Sequence, residues 1–262
     1  KYKAYLQKDR QTWENGDWKD VTTYVLPQYS DLFRSKEKSY KKGKEIYDSS
    51  PMLYLHTCSD GVQGLTYNQS ILWARHRLPS SLLFLEQEKS VRAWLQDSEE
   101  AMMYLYAESN FYSEITSFLR LYFGLGTATM HPEKDMYNNK WCFHNMHPRE
   151  VYIAENQYNR VDVCLRIFTM PARNMERMFG IKKLSNAVQE CLKNGNPFQE
   201  FEVNHLVFPN DEFDKTMLGN KYKSFASKWW ETSAQDKYLR LSGYDDFPFM
   251  TGRNKKGENG PY

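Results

Sequence analysis

The sequence predicts an α+β fold, with helices in the first part of the chain and a mainly antiparallel sheet in the second. Up to about residue 125, apolar residues recur at helical spacing, whereas from residue 136 they alternate with polar ones. A polar segment at 156–160 separates two alternating runs and suits the turn between antiparallel strands. Because helices come first and strands follow, the pattern favours α+β over a parallel, wound sheet.

Two helices are predicted at the start of the chain. The first covers residues 2–14, whose apolar positions are Tyr2, Tyr5, Leu6 and Trp13. Asn15 and Gly16 interrupt it, and Asp17 is placed to cap the second helix, which runs to Pro27.

Three further helices are predicted between Asp48 and Asp135. Ser50 and Pro51 open the first, because a hydroxyl can cap free N–H groups and proline needs no such group in a first turn. Apolar stripes mark the other two, with members Val91, Trp94, Leu95, Ala101, Met102 and Leu105, then Phe111, Ile115, Phe118, Leu119 and Tyr122. Ser109 and Asn110 separate these two helices, and Gly124 and Gly126 stop the last one.

Gly61 and Gly64 lie within one turn of the helix that Ser50 opens. Each glycine costs about 1 kcal/mol relative to alanine in an exposed helix. We therefore expect something large to pack closely against that face of the helix. After this helix, residues Leu72 to Leu85 are expected to form an irregular, extended connection.

The second part of the chain alternates in the manner of strands. Predicted strands cover residues 141–144, 151–154, 161–168, 198–209, 222–230 and 238–244. Leu184, Val188, Cys191 and Leu192 form a short amphipathic helix, with Gly195 beyond its end.

Composition bounds the function classes. The chain has 262 residues and a formal net charge of +2, so no global field favours nucleic acid or an anionic membrane. Its four cysteines have no paired spacing, which suggests free thiols in a reducing cytoplasm. No apolar run approaches the roughly 20 residues that span a bilayer. The chain begins at Lys1 and stops in a loop rich in glycine, asparagine and lysine, which predicts a fragment of a longer protein.

Metal chemistry has two sets of candidates. Cys142, His144 and His147, with His131 nearby, are suitable zinc ligands, although their spacing is not that of a zinc site; the alternative is a strand with ordinary polar side chains. A metal-dependent nuclease needs carboxylates that converge from different elements. The paired acids are Glu99–Glu100, Asp211–Glu212 and Asp245–Asp246, and loop solvation or capping is the alternative role.

Two other groups of residues attract attention. His205 lies on an alternating strand, where a hydrogen-bonded structural histidine is favoured over a catalytic base. A basic segment contains Lys36, Lys38, Lys41, Lys42 and Lys44. It is interpreted either as a solvated loop or as a contact to DNA or to an acidic neighbouring subunit.

Several motifs, in this order and spacing, resemble the head-to-tail connector (portal) proteins of short-tailed, T7-like bacteriophages. They are WKDVTTYVLP (18–27), Asp48 with the following SSPMLYLHTCSDGVQGLT (49–66), SNFY (109–112), FGLGTATMHPEKD (123–135), RVDVCLRIFTMPARNMERMFG (160–180), VNHLVFPNDE (203–212) and SGYDDFPFMTGR (242–253). Together they span most of the chain. The resemblance also implies a short helix that ends at Phe179 and Gly180.

The resemblance implies a subunit of a twelve-membered ring at one capsid vertex, through which DNA is packaged and ejected. Its partners would be other copies of itself, double-stranded DNA, terminase, the tail adaptor and the major capsid protein, with no membrane. No enzymatic activity and no cofactor are implied, and the location is the virion portal vertex after assembly in the host cytoplasm. Residues 1–262 would be the wing-type region, with stem, clip and crown beyond.

Within this framework, Asn110, Phe111 and Tyr112 are candidates for the subunit interface, because they lie at a helix break. The alternative is a helix junction inside one chain. Two other functions stay open: a metal-dependent nuclease that uses the acidic pairs and the Cys142, His144 and His147 cluster, and a virion adaptor protein that is not a portal.

Overall fold

The computed structural model describes residues 2–14, 16–32, 46–135 and 138–253, and it confirms the α+β class. The helices are α1 (Tyr2–Glu14), α2 (Asp17–Tyr24), α3 (Ser50–Thr66), α4 (Lys89–Glu108), α5 (Phe111–Leu125), α6 (Ala172–Phe179) and α7 (Asn186–Lys193). Short 3-10 turns lie at Pro27–Leu32, Ser80–Gln87, Pro148–Glu150, Ile181–Lys183 and Asn220–Tyr222. The five lysines of the basic segment lie outside the described residues.

The strands form two antiparallel sheets. They are β1 (Thr127–Lys134), β2 (Trp141–Asn145), β3 (Val151–Glu155), β4 (Val161–Pro171), β5 (Glu200–Pro209), β6 (Phe225–Glu231), β7 (Ala234–Tyr244) and β8 (Met250–Arg253). One sheet has the order β2-β1-β8, and the other is a meander, β3-β4-β5-β6-β7. Every pairing is antiparallel.

The chain divides into two compact units. Among the described residues, the sheet unit comprises residues 2–14, 16 and 147–249, and the helical unit comprises residues 17–32, 46–135, 138–146 and 250–253. The units therefore do not coincide with the change in secondary structure near residue 125. Helix α1 belongs to the sheet unit, while β1, β2 and β8 belong to the helical unit.

The five-stranded sheet of the sheet unit is covered on both faces. Met175 of α6 and Val188 of α7 are fully buried on one face, in a cluster with Trp229 of β6. On the other face, Leu6 of α1 packs on Leu165, with Trp230 beside them. Adjacent tryptophans of β6 therefore serve opposite faces, as the two-residue period of a strand requires.

The start of α3 differs from the prediction that the Ser50 side chain caps it. The helix already includes Ser50, and Ser49 takes the N-cap position without a side-chain cap. Instead, the Ser50 N–H and hydroxyl both donate to Asp48 Oδ1, at 2.9 and 2.7 Å. These two hydrogen bonds lower the pKa of the Asp48 carboxyl.

The end of α5 corrects the expectation that Gly124 stops the helix. The helix continues to Leu125, and Gly126 ends it in the left-handed conformation with φ of 74°. A Cβ atom on Gly124 would lie 2.5 Å from Leu26 Cδ1, so this glycine makes room for a fully buried leucine.

Two segments differ in length or type from their predictions. Strand β1 begins at Thr127, before the predicted change to alternation at residue 136. The connection predicted as extended from Leu72 to Leu85 instead enters a 3-10 turn at Ser80.

Candidate functional site

The junction between α4 and α5 holds the three residues predicted to lie at a subunit interface. Helix α4 ends at Glu108, and α5 starts at Phe111 after Asn110 as its N-cap. The Ser109 hydroxyl accepts a hydrogen bond from the Phe111 N–H at 3.1 Å and donates to the Tyr106 carbonyl at 2.8 Å. The break between the helices is therefore fixed by local hydrogen bonds.

Asn110 joins this junction to strand β2. Its side-chain Nδ2 donates to the Phe143 carbonyl at 2.8 Å, and its Oδ1 accepts from the Phe143 N–H at 2.7 Å. The amide side chain thus satisfies both backbone groups of one strand residue, as a neighbouring strand would. This two-point contact holds the helix junction against the small sheet.

Phe111 lies at the centre of an aromatic cluster. Only 5% of the residue is exposed. Its ring stacks on Trp73 at 5.7 Å and meets Tyr106 at 4.6 Å and Phe143 at 5.1 Å. Such contacts add to the apolar area that the ring buries.

Tyr112 connects the junction to α3. Its hydroxyl accepts a hydrogen bond from Trp73 Nε1 at 3.1 Å, and its carbonyl oxygen accepts one from Gln63 Nε2 at 3.0 Å. All three candidate residues are therefore brought together and have partners inside the helical unit. This arrangement favours the alternative of an intrachain helix junction, and a contact with a neighbouring subunit stays a prediction.

The zinc candidates divide between the two units. In the ladder between β1 and β2, His131 lies opposite His144, and Glu133 lies opposite Cys142. Burial, and to a smaller extent nearby carboxylates, raise the pKa of the Cys142 thiol, which disfavours the thiolate that a metal needs. His147 belongs to the sheet unit, where its Nδ1 accepts from the Arg149 N–H at 3.2 Å. Among the described residues, no group of three or more histidines, cysteines or acids could hold a metal.

The acidic pairs serve separate structural tasks. Glu99 Oε1 accepts from the His76 N–H at 2.7 Å, while Glu100 is exposed. Glu212 pairs with Lys221 at 2.8 Å. In the third pair, the Asp245 carboxylate contacts Lys223 Nζ at 2.9 Å. These contacts support the loop and capping roles rather than a convergent nuclease centre.

His205 has the surroundings of a structural histidine. It is 1% exposed, and its Nε2 lies 3.0 Å from the Ser227 hydroxyl. Its ring stacks on Trp229 with centroids 3.7 Å apart. A base buried in this way cannot reach a substrate.

One cleft was not anticipated from the sequence. It has a volume of about 550 Å³ beside α4, and its polar lining includes His76 and the charged residues Arg75, Arg77, Glu86, Arg92, Glu99 and Glu100. One carboxylate oxygen of Glu86 and one of Glu99 each accept a hydrogen bond from a backbone N–H group. The three arginines and three glutamates of this lining balance in charge, so the cleft has no strong preference for an anion.

Among the described helices, none combines the length and the apolar composition needed to cross a membrane.

Comparison with known proteins gives consistent results. The family model described as bacteriophage head to tail connecting protein matches residues 1–262. The portal protein of Salmonella phage epsilon15 is 26% identical over 261 residues, which are 95% of this chain and 45% of that protein. The protein named "Probable portal protein" of Bordetella phage BPP-1 is 26% identical over 250 residues, which are 95% of this chain and 44% of that protein. The chain thus spans less than half the length of these curated relatives.

Proposed function

The chain belongs to the family of bacteriophage head to tail connecting proteins, and we propose that it is part of a portal subunit. In this proposal, copies of the full-length protein form a ring at one capsid vertex, through which DNA is packaged and ejected. The observation that carries the proposal is the match of the family model to residues 1–262, together with two portal relatives that align with 95% of the chain.

The chemistry of the described residues suits a structural role. The family is structural rather than catalytic, and the side chains that could have formed an active site here cap turns, pair with lysines or stack in the core. The net charge of +2 also suits a conduit. A strongly basic wall would hold a polyanion by releasing its counterions, whereas a nearly neutral wall lets it slide.

The proposal extends to organisation and partners. Residues 1–262 form the wing-type region, and the stem, clip and crown come from the rest of the full-length protein. Terminase docks on the ring during packaging, and the tail adaptor and major capsid protein contact it in the virion. We also propose that the lysine-rich segment at 36–44 contacts either DNA or an acidic neighbouring subunit.

Electron microscopy of the purified full-length protein tests the ring directly. We expect closed rings with a central channel, and native mass spectrometry should give the mass of a dodecamer. Monomers at every protein concentration and salt condition would contradict the portal proposal and favour a virion adaptor. The full-length protein is required, because the segments that complete the ring are proposed to lie outside this chain.

Metal analysis tests the competing nuclease. Among the described residues no three histidines, cysteines or acids are grouped so that they could hold a metal, so we expect no stoichiometric zinc or manganese after dialysis. Elemental analysis by mass spectrometry, with a nuclease assay in added Mn²⁺, provides the measurement. One equivalent of metal per chain, lost together with nuclease activity in Cys142→Ser, would contradict the structural role.

A further inference from the structure

Five exposed cations lie together beside strand β7 of the sheet unit. Two of them belong to β7, and the other three lie at the end of α6 and in the 3-10 turn that follows it. This set, here named the basic patch, consists of Arg177, Lys182, Lys183, Lys237 and Arg240. Among the described residues, none of the five pairs with an acid. A cluster of unpaired like charges creates a local field that attracts a polyanion.

Hydrogen bonds to backbone carbonyls bring the two cations of β7 to the segment that carries the other three. Lys237 Nζ donates to the carbonyl oxygens of Lys182 and Leu184, at 3.2 and 3.1 Å. Arg240 Nη2 donates to the Met178 carbonyl, in the last turn of α6, at 3.0 Å. Leu184 is fully buried, so the segment is fixed to the core of the sheet unit. These contacts hold the basic patch together on a rigid base.

Three of the five cations have no structural task. The side chains of Arg177, Lys182 and Lys183 make no hydrogen bond, ion pair or ring contact with the described part of the chain. Repulsion between neighbouring like charges destabilises a folded protein. A bound polyanion would offset that cost, whereas no pairing among the described residues does.

The nearby acids do not neutralise the basic patch. Glu176 of α6 is exposed and forms no ion pair among the described residues. Glu231 is 1% exposed, and its Oε1 accepts a hydrogen bond from the Ser185 N–H at 2.9 Å. Even with Asp236 counted, whose side chain is outside the described residues, the five cations exceed the three acids by two charges.

We infer that the basic patch binds the phosphate backbone of double-stranded DNA. The inference rests on the proposed function, in which duplex DNA is the polyanion that the protein handles. Three of the five cations are lysines, a residue type that is depleted in protein–protein interfaces. Of residues 177–184, which the structure describes throughout, Ile181 is the only large apolar side chain that is exposed. The basic patch therefore lacks the apolar anchors of a protein interface and has the composition of a phosphate-binding surface.

The same electrostatics indicate which DNA is bound. A basic surface holds a polyanion because binding releases counterions, whereas the channel must let the duplex slide. The basic patch would therefore contact duplex that is held beside the ring, such as packaged DNA. Because lysine and arginine contacts to phosphate carry no sequence information, the binding would be independent of DNA sequence.

Replacement of two lysines tests the binding. Full-length Lys182→Gln/Lys183→Gln protein and unaltered protein are titrated onto a short fluorescent duplex at several salt concentrations. Because each phosphate contact releases about one counterion, we expect at least about fivefold weaker binding near 0.1 M salt. The slope of the logarithm of the association constant against that of salt should be shallower by about two. Lys8→Gln/Lys215→Gln removes the same charge from exposed positions of the same unit and should bind normally. Equal affinity of the two double variants would overturn the inference.

Lysine acetylation locates the contact on the unaltered protein. The full-length protein is treated with sulfo-NHS acetate, with and without the duplex, and the modified lysines are quantified by mass spectrometry. We expect DNA to slow the modification of Lys182 and Lys183 at least about fivefold, with Lys8 and Lys215 unchanged. Unreactive Lys182 and Lys183 in the free protein would show that the rest of the full-length chain covers the basic patch, and would contradict the inference.

Two further readouts complete the test. Polyglutamate replaces the duplex in a parallel acetylation experiment, and protection by polyglutamate without protection by DNA would assign the basic patch to an acidic protein instead. Microscopy of the same samples separates this inference from the proposed function. Rings in which DNA leaves Lys182 and Lys183 unprotected would overturn the inference alone, whereas the absence of rings would contradict the portal proposal.

Discussion

Replacement of Phe111 with alanine is expected to lower the free energy of unfolding of the helical unit by about 3–5 kcal/mol. The ring is almost fully buried, and it contacts Trp73, Tyr106 and Phe143. Truncation removes these contacts and leaves a cavity between elements that are tied together elsewhere. Two hydrogen bonds would remain: Asn110 still binds Phe143 of β2, and Gln63 of α3 still binds the Tyr112 carbonyl. Collapse of the structure around the cavity would therefore be limited.

The measurement is urea unfolding of the full-length protein, with hydrogen exchange to locate the loss of protection. Amides of α5, β1 and β2 should exchange faster in Phe111→Ala, while amides of the five-stranded sheet keep their protection. Phe84→Ala is the control, because Phe84 is 65% exposed and its replacement should change stability by at most about 0.5 kcal/mol. Unchanged stability in Phe111→Ala would contradict the core role. Loss of rings together with unchanged stability would place Phe111 at the subunit contact. Full assembly with unchanged stability would retire the interface hypothesis.

Helices with one buried side could be predicted from periodicity, and the apolar stripe of α5 does lead into a core. The stripe of α4 predicted the helix but not its buried side, because Trp94 and Leu105 of that stripe are exposed. Strand β1 lacks such a pattern, because its first five residues, Thr127 to His131, are all buried. A strand in the middle of a sheet with both faces covered shows no alternation, so its start was placed too late.

The candidate site illustrates what periodicity cannot supply. Ser109 and Asn110 could be identified as a helix break from local signals alone. The partner of the Asn110 side chain, Phe143, is 33 residues away and on a strand, and no local pattern specifies that long-range contact. The expectation that a large group packs against Gly61 and Gly64 was wrong for the part of the chain that the structure describes, where no atom would lie within 4 Å of a Cβ at either position.

The motifs that identify the family lie at structural junctions, which explains why no active site could be derived from them. Asn210 donates to the carbonyl oxygens of Lys221 and Lys223, both at 2.7 Å, and so closes the loop between β5 and β6. Gly243 lies against the Asn220 carbonyl, and a Cβ atom there would be 2.9 Å from the Phe225 carbonyl oxygen. Both residues make structural contacts, so the motifs that contain them indicate a fold rather than a reaction.

Replacement of Arg10 with alanine is expected to destabilise the sheet unit by about 3–5 kcal/mol. Arg10 is 1% exposed, although the prediction of α1 rested on its apolar residues alone. Its Nη1 donates to the Val151 carbonyl at 2.6 Å, its Nη2 pairs with Glu14 at 2.6 Å, and its guanidinium lies 4.4 Å from the Tyr152 ring centre. Alanine would leave the Val151 carbonyl without this donor and the Glu14 carboxylate without its cation, so α1 would lose its main polar attachment to the sheet.

Three variants distinguish this attachment from a general effect of charge. Arg10→Lys keeps the charge but not the planar fork, so it should lose most of the same stability, because one ammonium cannot reproduce both hydrogen bonds and the stacking on Tyr152. Lys8→Ala removes an exposed charge from the same helix and should be nearly neutral. The measurement combines thermal unfolding with limited proteolysis, in which residues 2–14 should be cleaved early in Arg10→Ala and Arg10→Lys but not in Lys8→Ala. Full stability in Arg10→Lys would show that charge alone suffices, whereas full stability in Arg10→Ala would show that Leu6 and the other apolar contacts hold α1 without the arginine.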